Sequence, residues 1–174
     1  MAKKRNLREF QSHLANRLAN LGQQNAAGLL GVQVGSCDWL IKLSDAGEIV
    51  PLSYLTPVPM TKPWFAGLAN IRGDLFSVID FSAFQGQEPT PRNASARLLL
   101  VGARYGNNAA LLVNRMLGLR KLEGLQPSVN AADAQQASSP SWLDETYTDQ
   151  EGRFWKQLNV PALLADEAFM QVGC

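Results

Sequence analysis

The sequence predicts a mainly β domain with an amphipathic helix before it and a short helix after it. Three observations carry that expectation. From Leu29 onward, apolar residues recur two apart in short runs, as in Leu30-Val32-Val34 and Trp39-Ile41-Leu43, the spacing of strands with one buried face. Turn formers interrupt these runs throughout, with 14 Gly and 9 Pro in 174 residues. Only before residue 28 does the spacing change to three and four, at Leu7, Phe10, Leu14, Leu18 and Leu21.

The elements follow in chain order. Residues 1–27 form an amphipathic unit that Gly22 can end, with Lys3, Lys4, Arg5, Arg8 and Arg17 around its apolar stripe. Five large side chains in one stripe need a cover, either the domain itself or a partner. A hairpin then runs through Leu30–Val34 and Trp39–Leu43 about a turn at Gly35-Ser36-Cys37-Asp38. A second turn, Asp45-Ala46-Gly47, leads into a short strand from Glu48 to Leu52. Pro57, Pro59 and Pro63 make the next stretch extended and stiff, because proline removes a ladder donor and restricts the residue before it. Strands are expected at Leu68–Arg72 and Leu75–Ile79 around Gly73-Asp74, with Asp80 capping a helical turn over Phe81–Phe84.

Gln87–Ala96 is polar and reads as an exposed loop. Strands at Leu98–Ala103 and Ala109–Val113 flank the turn Tyr105-Gly106-Asn107-Asn108, and Met116–Leu122 continues apolar. Residues 126–141, rich in Ala, Gln, Ser and Asn, are expected to form a long mobile loop. Tyr147 and Phe154–Leu158 flank a hairpin turn at Gln150-Glu151-Gly152. Asn159 caps a last helix with Pro161 in its first turn, buried through Leu163, Leu164 and Phe169.

Composition narrows the function. Lys+Arg 16 against Asp+Glu 15 gives a formal net charge of +1, so nucleic acid would require a local basic patch. The single histidine, His13, lies outside the β-rich body, and the two cysteines, Cys37 and Cys174, stand in no metal-ligand spacing. No metal and no cofactor are therefore expected. Asp38 beside Cys37 disfavours a thiolate there. The acidic pairs Asp144-Glu145 and Asp166-Glu167 are adjacent surface charges rather than a catalytic dyad. Phosphate-cradling glycine motifs are missing. The chain reads as a non-enzyme without direct membrane insertion, since no apolar run approaches the roughly 20 residues of a span. Lys62-Pro63-Trp64-Phe65 and Arg153-Phe154-Trp155-Lys156 interleave aromatic and basic residues, which leaves a small β-barrel binding single-stranded nucleic acid as an alternative.

The most informative segment runs from Trp64 to Phe81: Trp-Phe-Ala-Gly-Leu-Ala-Asn-Ile-Arg-Gly-Asp-Leu-Phe-Ser-Val-Ile-Asp-Phe. Physically it is strand, tight turn, strand and cap. Arg72 at the turn either pairs with a carboxylate such as Asp80 or awaits a partner's polar groups. The segment resembles the signature of CheW-type coupling proteins, an apolar residue and Gly, two residues, Asn-Leu/Ile-Arg-Gly, an apolar strand and Ile-Asp. The resemblance extends over residues 28–170, with Glu48-Ile49 similar to the family's Glu-Ile pair. The chain departs from the pattern at Asp74, Ser77, Asn114 and Met116. With its N-terminal extension and long loop, it looks most like the coupling proteins of type IV pilus twitching systems.

The resemblance implies two small five-stranded β-barrels sharing a hydrophobic core. It also implies an adaptor between the cytoplasmic tip of a methyl-accepting receptor and the regulatory domain of a CheA-type histidine kinase. Such a protein would be cytoplasmic and recruited to membrane-associated receptor arrays. By motif match, Asn70, Ile71, Arg72 and Gly73 would fall on the partner-binding surface, with Glu48 and Ile49 near the kinase-docking side.

Overall fold

The structure, a computed structural model, describes residues 28–101, 103–128 and 139–174. The helix expected within residues 1–27, and most of the loop expected at 126–141, lie outside the described residues.

Eleven strands form among the described residues: β1 Gly28–Val34, β2 Cys37–Lys42, β3 Ala46–Pro51, β4 Phe65–Ile71, β5 Asp74–Asp80, β6 Arg97–Val101, β7 Ala109–Val113, β8 Arg115–Lys121, β9 Leu125–Pro127, β10 Leu143–Asp149 and β11 Phe154–Leu158. They make a six-stranded sheet, ordered β8-β1-β2-β11-β10-β9, and a five-stranded sheet, ordered β3-β6-β7-β5-β4. The first sheet thus joins both ends of the described chain, through the parallel pairing of β2 with β11. The short helices are α1 Phe81–Phe84, α2 Val160–Ala165 and α3 Glu167–Met170.

Strand alternation distributes side chains into three apolar layers. Leu30, Val32, Trp39 and Ile41 of the first sheet meet Leu99, Val101, Leu111 and Val113 of the second in a shared core, which α2 and α3 seal with Leu163 and Phe169. The far face of the second sheet encloses its own cluster of Ala69, Phe76, Val78, Leu98, Leu100 and Leu112. The far face of the first encloses Leu29, Leu40, Leu125, Tyr147 and Trp155. A strand buried on both faces reads as a continuous apolar run, which is why β7 is Ala-Ala-Leu-Leu-Val with every residue buried.

The second sheet rolls until its two edges approach. Just beyond β3, Thr56 pairs with Leu68 of the opposite edge strand, each N–H donating to the other's carbonyl at 2.8 Å. Gly67, beside this closure, has φ +126°, and a Cβ there would lie 2.5 Å from the Thr56 carbonyl oxygen. Only glycine combines that conformation with that approach.

Several boundaries differ from expectation for physical reasons. Cys37 and Asp38 belong to β2 rather than the turn, because a two-residue reversal at Gly35-Ser36 suffices. Gln126 and Pro127, expected in a loop, add β9 to the edge of β10. The terminal helix is two helices, since Asp166 ends α2 and then caps α3 by accepting from the Phe169 N–H at 3.1 Å. Asp80 and Asn159 act as caps where the sequence places them, accepting from Ser82 and Ala83 and from Ala162 respectively.

Candidate functional site

The signature residues converge at the seam where the second sheet closes. β4 and β5 pair in register up to Ile71 opposite Asp74, so Arg72 and Gly73 alone make the turn. Both have positive φ, 56° and 98°, the conformation of the tight hairpin turn that matches strand twist. The sequence reading centred the turn on Gly73-Asp74; the structure moves it back by one residue. Arginine in the left-handed region is unfavourable by about 1–2 kcal/mol, so a turn of this type normally selects Asn or Gly there. Asn70 supports the turn by accepting from the Gly73 N–H at 3.0 Å.

Glu48 reaches the same place from the opposite edge of the sheet. β3 bulges between Ala46 and Ile49, where one extra residue stands against β6, and such a bulge re-aims side chains. The Arg72 guanidinium donates to the Glu48 carboxylate at 2.5 Å. The pairing considered for Arg72 with Asp80 is overturned. Asp80 is buried and committed, accepting from the Thr90 N–H at 2.8 Å and the Thr90 hydroxyl at 2.7 Å besides its capping contacts.

The Arg72 side chain is 76% exposed and that of Glu48 39%. An ion pair this open contributes on the order of 0–1 kcal/mol to folding. Its consequence is positional: it holds a guanidinium, which presents several fixed donors, on the outer rim of the barrel. Ile49, next to Glu48, is exposed, whereas Ile71 turns inward and packs against the barrel's own core. Leu75 stands opposite Asn70 and is 60% exposed. The sequence reading missed it; its signal is a large apolar residue whose cross-strand partner is polar. The surface thus carries a charge pair, a rigid turn and two open aliphatic side chains.

Of the aromatic residues considered for base stacking, the two tryptophans are packing residues, whereas Phe154 is exposed. Trp155 is fully buried, donating its indole N–H to Asp149 at 2.9 Å, and Trp64 packs on Phe84 and Phe169. Among the described residues no group of three His, Cys, Asp or Glu is placed to hold a metal ion, and no helix is long and apolar enough to cross a membrane. The perturbed titratable groups lie away from the seam: Tyr147 and Tyr105 are shifted up and Asp149 down.

Two sheets around a shared core, with the conspicuous residues displayed on an outer rim, define a two-sheet β domain whose candidate site is a surface; where two five-stranded barrels are expected, the first sheet has six strands, because β9 adds to the edge of β10. Residues 28–168 match the CheW-like domain family, and the chain belongs to it. It is similar to Protein PilI of Pseudomonas aeruginosa, 29% identical over 91 residues, 52% of this chain and 51% of that protein. The match therefore spans about half the length of that relative. The fold is that of the scaffolding protein TtCheW from Thermoanaerobacter tengcongensis, with TM-score 0.63 at 15% identity, covering 77% of this chain and 89% of the other.

Proposed function

We propose that this protein is a non-enzymatic adaptor. It couples the cytoplasmic tip of a methyl-accepting-type receptor to the regulatory domain of a CheA-type histidine kinase in a membrane-associated array. We further propose that the array controls type IV pilus twitching motility, a reading supported by the likeness to Protein PilI. Glu48, Ile49, Asn70, Arg72 and Gly73 belong to the docking surface, with Ile71 supporting it from within. The observation that carries the reading is that Glu48 and the Asn70–Gly73 turn, far apart in sequence, meet on one exposed rim of a CheW-like domain. Side chains held in place but left solvated favour partner recognition, since little ordering entropy remains to be lost on docking. The adaptor acts by differential contacts with the two activity states of the kinase.

The test is reconstitution. Added to its cognate kinase and receptor membranes, the purified protein changes the rate of kinase autophosphorylation and itself incorporates no phosphate from ATP. A rate indifferent to the protein across its binding range would overturn the adaptor reading.

A further inference from the structure

The face of the first sheet that builds the shared core runs out of cover at one edge. Ile41, Leu30 and Leu119 form a cross-strand row over β2, β1 and β8. Residues opposite one another in antiparallel strands share a face. Ile41 and Leu30 are 1% and 4% exposed, whereas Leu119 is 69% exposed. Among the described residues β8 is an edge strand, with no further strand shielding the end of that row. Leu122, just past β8, is also exposed. An apolar row that emerges from the core into water gains stability from a covering element.

We infer that residues 7–21 of this same chain are that element, laying the stripe of Leu7, Phe10, Leu14, Leu18 and Leu21 over Leu119 and Leu122. Two observations select this occupant. The first is where the segment joins the described structure. Gly28 pairs with Lys121, two residues from Leu119, so the chain enters the domain at the open end of the row. The six residues 22–27 reach about 20 Å when extended, enough for the stripe to fold back across β8. The second is the stripe itself, since a helix of this length is marginal alone in water and forms when its apolar face is packed.

Photo-crosslinking in the full-length protein tests the placement. With p-benzoylphenylalanine at position 119, irradiation should give adducts within one chain that map to residues 7–21. Those adducts should vanish when Leu14→Glu and Leu18→Glu are combined. Amide exchange supplies the second measurement: Leu119→Glu, a change at an exposed position, should accelerate exchange across residues 7–21 by about tenfold or more. Adducts at twice the chain mass, which would assign the edge to a second copy, overturn the inference. Adducts confined to residues 28–174 also overturn it, as does exchange in residues 7–21 that is indifferent to Leu119→Glu.

Discussion

Glu48 and Arg72 sit on strands at opposite edges of one five-stranded sheet, yet their side chains meet at 2.5 Å. The meeting follows from the rolling of the sheet, which the paired N–H and carbonyl groups of Thr56 and Leu68 have already closed. The ion pair is a consequence of closure and not its cause. Its exposure makes it a weak fastener.

Stability and docking should therefore separate at Arg72. Arg72→Ala should weaken capture of the receptor or the kinase by about 1–3 kcal/mol, as expected of an interface hot spot. Its thermal midpoint should barely move. Arg72→Gly should lose binding to the same extent while unfolding at an equal or higher temperature, because glycine adopts φ +56° without the roughly 1 kcal/mol penalty of a side chain. If Arg72→Ala melts many degrees lower and binds normally once folded, the arginine is structural and the docking surface lies elsewhere.

Strand positions were legible because each barrel wall is buried differently on its two faces. The alternation in β1 and β2 and the unbroken run of β7 both reflect layers that the structure shows. Caps at Asp80 and Asn159 were legible because they are local. What eluded the sequence was tertiary or conformationally unusual. The partner of Arg72 is 24 residues away and is brought near only by sheet curvature. The turn register slipped by one because arginine holds a backbone conformation that residue preference assigns to glycine or asparagine. Asp166 read as solvated charge, yet its carboxylate starts a helix. Leu75 was placed only at the start of a strand, because alternation alone does not say which face of a hairpin remains uncovered.

Asp80 should be among the costliest polar positions to change. It is buried and gathers four donors: the N–H groups of Ser82, Ala83 and Thr90 and the Thr90 hydroxyl. Asp80→Ala leaves those donors unpaired inside the fold and should cost about 2–4 kcal/mol in chemical denaturation. The loop bearing Thr90 should loosen with it, seen as faster exchange of the Thr90 amide. A loss below about 0.5 kcal/mol would mean that water replaces the carboxylate at little cost.

Tyr147 should impose an alkaline limb on stability. Burial, then its hydrogen bond to Glu145 and the nearby carboxylate charges, push its hydroxyl from 10.0 up to about 12. The group's folded value lies above its unfolded one. Its contribution is thus complete below pH 10 and is lost as the pH rises towards 12. Tyr147→Phe should remove this part of the decline, so wild type and variant should converge as the pH rises through that window. Parallel curves for the two proteins would show that Tyr147 ionises equally in both states.

Gly67→Ala should damage the seam and, through it, the site. Two independent requirements meet at this position. The backbone has φ +126°, where an L-residue is strained, and the added Cβ would stand 2.5 Å from the Thr56 carbonyl oxygen. A backbone atom cannot step aside as a flexible side chain can, so relief must come from separating Thr56 from Leu68. That movement breaks the two 2.8 Å hydrogen bonds closing the barrel and draws apart the edges that carry Glu48 and Arg72. The expected loss is about 2–4 kcal/mol, combining backbone strain with the broken pair. Partner capture should fall even at temperatures where the variant remains folded, because the ion pair spans the displaced edges. Gly73→Ala is the control: its φ is also positive, at 98°, but an added Cβ there meets nothing within 4 Å. It should pay the conformational cost alone, about 1 kcal/mol. Equal losses in the two variants would show that backbone conformation, and not the approach of Thr56, makes Gly67 necessary.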